Sequence, residues 1–133
     1  MGLFKRKKIE GIRVIFYEGE LQGFFNNDGC QLLLQEKTLR ITKINPDITV
    51  HLDRQRILDI MCLSESEYMK KYKGTDIIQK KNDIPRSFYI LDYLNKEGNK
   101  KQLVFWGTSS EALKIMKMQK ELSKDVQSSN YEI

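Results

Sequence analysis

Apolar and polar residues alternate along much of the first half of this chain. In TLRITKI from Thr38, Leu39 and Ile41 alternate with Arg40 and Thr42. In ITVHLD, Ile48, Val50 and Leu52 fall on one face and Thr49, His51 and Asp53 on the other. Two apolar runs precede these, IRVIF from Ile12 and CQLLLQ from Cys30, separated by a polar stretch that ends in the turn signal Asn26-Asn27-Asp28-Gly29. Glu36-Lys37 and Asn45-Pro46-Asp47 supply further turns, Arg54-Gln55 a corner, and ILDIMCLS from Ile57 a fifth strand. Five strands with no helix between them predict an antiparallel meander, not a parallel α/β sheet.

The rhythm breaks between Ser64 and Pro85. Ser64 and Glu67 have capping-box spacing, Lys70, Lys71 and Lys73 fill a last turn, and Gly74 stands where a helix would stop, so a short helix is predicted over 65–73. Asp76–Lys80 is expected to add a short strand. The closing unit is the most definite. RSFYILDYL from Arg86, a turn at Asn95 to Asn99 and QLVFW from Gln102 predict a hairpin. Thr108 and Glu111 then open a helix whose apolar face is read as Ala112, Ile115, Met116, Leu122 and Val126, with Lys114, Lys117, Lys120 and Lys124 opposite. Such a helix needs a sheet to cover.

At 133 residues the chain fits one domain with one core. The expected layout is a basic tail over 1–8, a domain over 9–126 with an inserted segment at 64–85, and a C-terminal tail over 127–133. Cys30 and Cys62 lack the spacing of a zinc or redox motif and read as reduced thiols. Glu10 and Arg13 interrupt any secretory apolar stretch, no run approaches the ~20 residues of a membrane span, and Arg6 stands where a myristoylation signal wants Ser or Thr. A cytoplasmic protein is expected. The net charge of +5 resembles a nucleic-acid footprint until it is located: Lys5, Arg6, Lys7 and Lys8 carry most of it and the body is nearly neutral.

Seven or so strands followed by one terminal helix follow the order of the pleckstrin-homology superfold. The succession YEGEL, LLLQEKTLRITKI, ITVHLDRQRILDI and FYILDYLNKEGNKKQLVFWGTSSEALKIM resembles the small bacterial pleckstrin-homology-like and GRAM-like domains over roughly residues 12–126. The turn followed by L-x-I, the later I-x-x-I, and the G-x-x-x-x-L-x-F hairpin before the helix carry the likeness. It implies a mainly β fold, a bent antiparallel sheet or barrel capped by the C-terminal helix, and a binding or adaptor domain, not an enzyme. The inositol-lipid site of such domains needs Lys and Arg across the first two strands. Glu18 to Gln35 contains neither and carries Glu18, Glu20 and Asp28, so that function does not transfer.

No cofactor is expected. His51, the single histidine, lies on the polar face of its strand and reads as solvated, and Ser109 and Ser110 read as helix-start residues. Phe105 and Trp106 close a core strand and read as packing, with Trp106 the one of the two that a binding surface would use. Two interaction candidates remain. Leu3, Phe4, Lys5, Arg6, Lys7 and Lys8 suit weak contact with an anionic membrane. Residues 70–86 hold six cations against two aspartates; with Tyr68 and Tyr72 beside them, Lys70, Lys71, Lys73, Lys80 and Lys81 form a candidate surface for a protein partner. The expected function is a stand-alone adaptor of a bacterial cytosol that binds a protein, at or near the membrane. The alternative is a nucleic-acid-associated factor using the same basic segment.

Overall fold

A computed structural model of the chain describes residues 11–43, 47–75 and 85–127, the last three of these by backbone only. The described residues form seven strands: β1 (Ile12–Gly19), β2 (Gly29–Leu34), β3 (Thr38–Lys43), β4 (Ile48–Asp53), β5 (Ile57–Ser64), β6 (Ser87–Leu94) and β7 (Lys100–Gly107). All pairings are antiparallel, in the order β4-β3-β2-β1-β7-β6-β5. The two edges are therefore β4 and β5, which are neighbours in sequence joined only by a 3-10 turn at Arg54–Arg56. A flat seven-stranded sheet would hold its edges roughly 29 Å apart at about 4.8 Å per step. The four peptide steps from Asp53 to Ile57 reach at most about 14 Å. The sheet is thus rolled into an open barrel: the antiparallel meander is the one the periodicity predicts, and the bend is the one the resemblance implies.

The inward parity of each strand supplies the main core. Val14 and Phe16, Leu32, Leu39 and Ile41, Leu52, Ile60, Leu91, Leu103 and Phe105 are buried together. The helix α2 (Ser109–Gln127) covers this core from β5 and β1, and also touches β6, β7 and the Arg54–Arg56 turn. At its start Glu111 accepts hydrogen bonds from both the backbone N–H and the hydroxyl of Thr108. Ile115 and Leu122 are buried as their spacing predicts, but the third anchor is Met118, not Met116, which is 49% exposed. On a 100°-per-residue wheel Met118 lies about 60° from Ile115 on the Leu122 side, whereas Met116 lies about 100° away on the other. The side chain of Val126 lies outside the described residues.

β6 breaks the alternation, with every residue from Phe88 to Tyr93 buried. A strand apolar on both faces needs a cover on each. The outer cover is α1 (Glu65–Tyr68), which widens into a π-helical turn over Met69–Lys73. The Ser64–Glu67 capping box starts it and Gly74, left-handed at φ +64°, ends it. Tyr68 joins Phe88, Ile90 and Val104 in a second small core on the sheet's outer face. Among the described residues no helix is long and apolar enough to cross a membrane.

Candidate functional site

The basic candidate segment is only partly described. Lys80 and Lys81, the Asp76–Lys80 strand, and the tail candidates Leu3, Phe4, Lys5, Arg6, Lys7 and Lys8 lie outside the described residues. Where the segment is described, Tyr68, Lys73 and Arg86 are engaged by the fold, and Lys70 and Lys71 are exposed. Tyr68 is 1% exposed, which corrects its reading as a partner contact. Its ring stacks on Phe88 with centroids 4.5 Å apart and meets the edge of Tyr17. Its hydroxyl donates to Glu18 Oε1 at 2.5 Å. Lys73 Nζ donates to Glu18 Oε2 at 2.9 Å, Arg86 pairs with Glu65, and Tyr72 leans on Tyr68. Lys70 and Lys71 stay exposed, the latter 5.4 Å from the centroid of the half-buried Tyr72 ring. In a helix this short the inward side falls on Tyr68, because β6 offers Phe88 and Ile90 to whatever crosses it.

Burial tends to raise the Glu18 carboxyl, but the hydrogen bonds from Tyr68 and Lys73, with the lysine's charge, outweigh it and hold the group below the ordinary carboxylate range. Burial first, and the bond to Glu18 second, raise the Tyr68 phenol. These residues clamp the short helix to the sheet.

A different site emerges where β1 changes neighbours. Its first half, Ile12 to Ile15, pairs with β2, while β7 joins β1 only from Ile15, opposite Trp106. β7 ends at Gly107, which still pairs with Ser87 of β6, and the chain passes through Thr108 into α2, so the place beside Ile12–Val14 that a longer β7 would fill is a cleft. It measures about 400 Å³ and is lined by Arg13, Ile15, Gly29, Gln31, Thr42 and Trp106, with Thr108 and Glu111 at the helix end. Register explains its shape. Arg13, Gln31 and Thr42 form one cross-strand row, and Trp106, Ile15 and Gly29 the next. Gly29 ends that row without a side chain, and a Cβ built there would meet nothing within 4 Å.

The cleft joins an apolar floor to unused polar groups. Among the described residues, Trp106 Nε1 and Thr42 Oγ1 are buried with no hydrogen-bond partner, and Arg13 is exposed. One face of the Trp106 ring is taken by the Arg86 guanidinium at 4.8 Å from the centroid. Cys30 also lines the cleft, but burial, with a smaller push from Asp28 against the pull of Lys43, raises its thiol to about 12, so it offers no thiolate. These groups are equipped to hold a carbonyl or carboxylate beside an apolar group, which is recognition chemistry. The sequence pointed to Trp106 alone here. Arg13, Gly29, Gln31 and Thr42 become neighbours only through strand register, which no local spacing shows.

Elsewhere, His51 is exposed on the β4 edge, as its parity implied. It borders a smaller opening of about 320 Å³ with Arg56, Tyr93 and Leu21. Lys43, unremarked in the sequence, is 5% exposed and bonds Asp28 Oδ2 and the Gly23 carbonyl, bracing the β1–β2 loop from below. Among the described residues no group of three or more His, Cys, Asp or Glu side chains is placed to hold a metal ion. No protein-family model matches this chain, and no curated protein is significantly similar to it in sequence.

Proposed function

We propose that this chain is a non-enzymatic interaction module of the cytoplasm, of the pleckstrin-homology-like type, and that an extended segment of a protein partner binds in the cleft beside β1. The observation that carries this reading is the unequal pairing of β1: Ile12–Val14 have β2 on one side and, among the described residues, no strand on the other. An added strand gains affinity from main-chain hydrogen bonds and specificity from alternate side chains. Here Ile15, Trp106 and the gap at Gly29 take an apolar residue, and Arg13 takes an acidic one. The order of strands ending in a single helix supports the resemblance to pleckstrin-homology-like domains, and two free, shielded thiols suit a reducing compartment. Among the described residues of the segment that the nucleic-acid alternative uses, Lys70 and Lys71 are exposed, while Lys73 and Arg86 are in ion pairs.

The test is selection of linear peptides from a random displayed library on the wild-type chain, with counter-selection on Gly29→Leu. Enriched peptides are expected to bind the wild type with roughly micromolar affinity in fluorescence anisotropy, and at least about tenfold more weakly to Gly29→Leu and Arg13→Glu. Peptides that bind all three proteins alike, or no enrichment at all, reject the cleft as the site.

A further inference from the structure

The outward side of α2 carries a feature that neither the core nor the cleft uses. Leu113 is 69% exposed and Met116 49% exposed, two of the four large apolar side chains that the described residues leave in solvent. Leu113, Lys117, Lys120 and Lys124 follow one another at helical spacings of four, three and four, so they form a single line opposite Ile115, Met118 and Leu122. All four are exposed, with Met116 beside the first and Lys114 on the flank. Over the eleven steps from Leu113 to Lys124 the line is roughly 16 Å long at about 1.5 Å per step. It has an apolar end and a cationic end; among the described side chains Glu121, off the line, reaches Lys124 at 3.4 Å.

We propose that this stripe is a contact surface for an anionic lipid bilayer, with Leu113 and Met116 entering the interface and Lys117, Lys120 and Lys124 meeting lipid phosphates. The charge of the stripe selects an anionic occupant, and its shape selects a bilayer over a protein. It is the outward ridge of a helix; an opening of about 420 Å³ lies along its flank against β2, and of the stripe only Lys117 borders it. It holds no aromatic residue or Arg to anchor a protein interface, and two apolar side chains fall far short of the roughly 800 Å² that a stable complex covers on each partner. A second copy would set lysines against lysines. A bilayer deforms around a ridge, and long lysine stems lie along apolar surface while their ammonium groups reach phosphate. The helix is already folded, because its other side covers the core, so binding carries no cost of ordering it. The proposal goes beyond the cleft reading and is independent of it.

Vesicle co-sedimentation with the full chain tests this, using phosphatidylcholine with and without about one third phosphatidylserine. The wild type is expected to sediment with the anionic vesicles at low ionic strength, to dissociate as salt rises, and to ignore the neutral ones. Replacing Lys117, Lys120 and Lys124 together by Gln is expected to lower partition about 100-fold, at roughly fivefold per lysine. The pair Leu113→Ser and Met116→Ser is expected to lower it about tenfold, with unchanged circular dichroism for both variants. Deleting residues 1–8 separates the basic tail from the helix: the remaining binding should still respond to both helix variants. Binding that neither variant changes, binding lost wholly with the tail, equal binding to neutral vesicles, or no binding at low salt would each overturn the proposal.

Discussion

Glu18 on β1 and Tyr68 on α1, fifty residues apart in the chain, share a 2.5 Å hydrogen bond across the outer face of the sheet. A bulge makes the meeting possible. Phe16 points into the main core opposite Phe105, and strict alternation would send Glu18 the same way. The register instead slips between Phe16 and Glu18, so that Glu18 pairs with Val104 and joins Tyr17 on the outer face. The carboxylate then receives Tyr68 on one oxygen and Lys73 on the other. Strand irregularity, helix docking and the loss of Tyr68 as an accessible site are one arrangement.

Tyr68 therefore holds the short helix in two separable ways. Tyr68→Phe keeps the stack on Phe88 and removes the hydrogen bond, with an expected loss of about 1 kcal/mol. Tyr68→Ala empties the small core and should cost about 3–5 kcal/mol. Urea melts of the two variants check this; a loss below about 1 kcal/mol for the alanine would mean that the helix does not seal the outer face.

The same contact gives a pH signature. The Glu18 carboxyl titrates below its ordinary range in the folded chain, so its contribution to stability is complete above the unfolded value, near pH 4.3. It is lost as pH falls through the lower folded value. The stability gap between wild type and Glu18→Gln should stay level from about pH 8 to about pH 5 and close below about pH 4. Asp28, Glu67 and Glu111 are lowered too, by their hydrogen bonds to Lys43, Ser64 and Thr108, so both proteins weaken in acid and only the difference isolates Glu18. A gap that widens toward low pH would contradict the clamp.

On α2 the two faces should respond unequally. Leu122, 6% exposed, packs in the main core, and Leu122→Ala is expected to cost about 2–5 kcal/mol. Leu113→Ala should stay within about 0.5 kcal/mol. Equal losses in parallel urea melts would show that the helix is rotated from the orientation described.

Much of the architecture was legible because local signals agreed. Turn residues, alternating strands and two capping pairs, Ser64 with Glu67 and Thr108 with Glu111, each mark what the chain does there. Even Lys43 had the inward parity of Leu39 and Ile41, although a lysine in that row reads as surface until Asp28 and Gly23 are brought to it. Tyr68 reads as surface because it stands beside the cations of 70–86; that Phe88 and Ile90 of β6 offer it an outer core is a relation between distant segments. Choosing Met118 over Met116 depends on the rotation of a docked helix. The cleft depends on strand register and on the early end of the β1–β7 pairing, which are relations between distant segments.

Two glycines make the register testable. Gly19 has φ +137°, and a Cβ there would lie 2.7 Å from Leu103 Cδ2 and 2.8 Å from the Gln102 carbonyl oxygen. Backbone cannot yield as a flexible side chain can, so Gly19→Ala is expected to cost about 1–3 kcal/mol. Gly29 borders open space, and Gly29→Ala should be neutral or gain about 0.4–1 kcal/mol by restricting the unfolded chain. Gly29→Leu should fold as well as the alanine while its side chain occupies the cleft between Ile15 and Thr42. Melts of the three variants, followed by peptide binding to the folded ones, separate damage to the sheet from occupation of the site. If Gly29→Leu unfolds the chain, the gap at Gly29 is not the open space that the cleft requires.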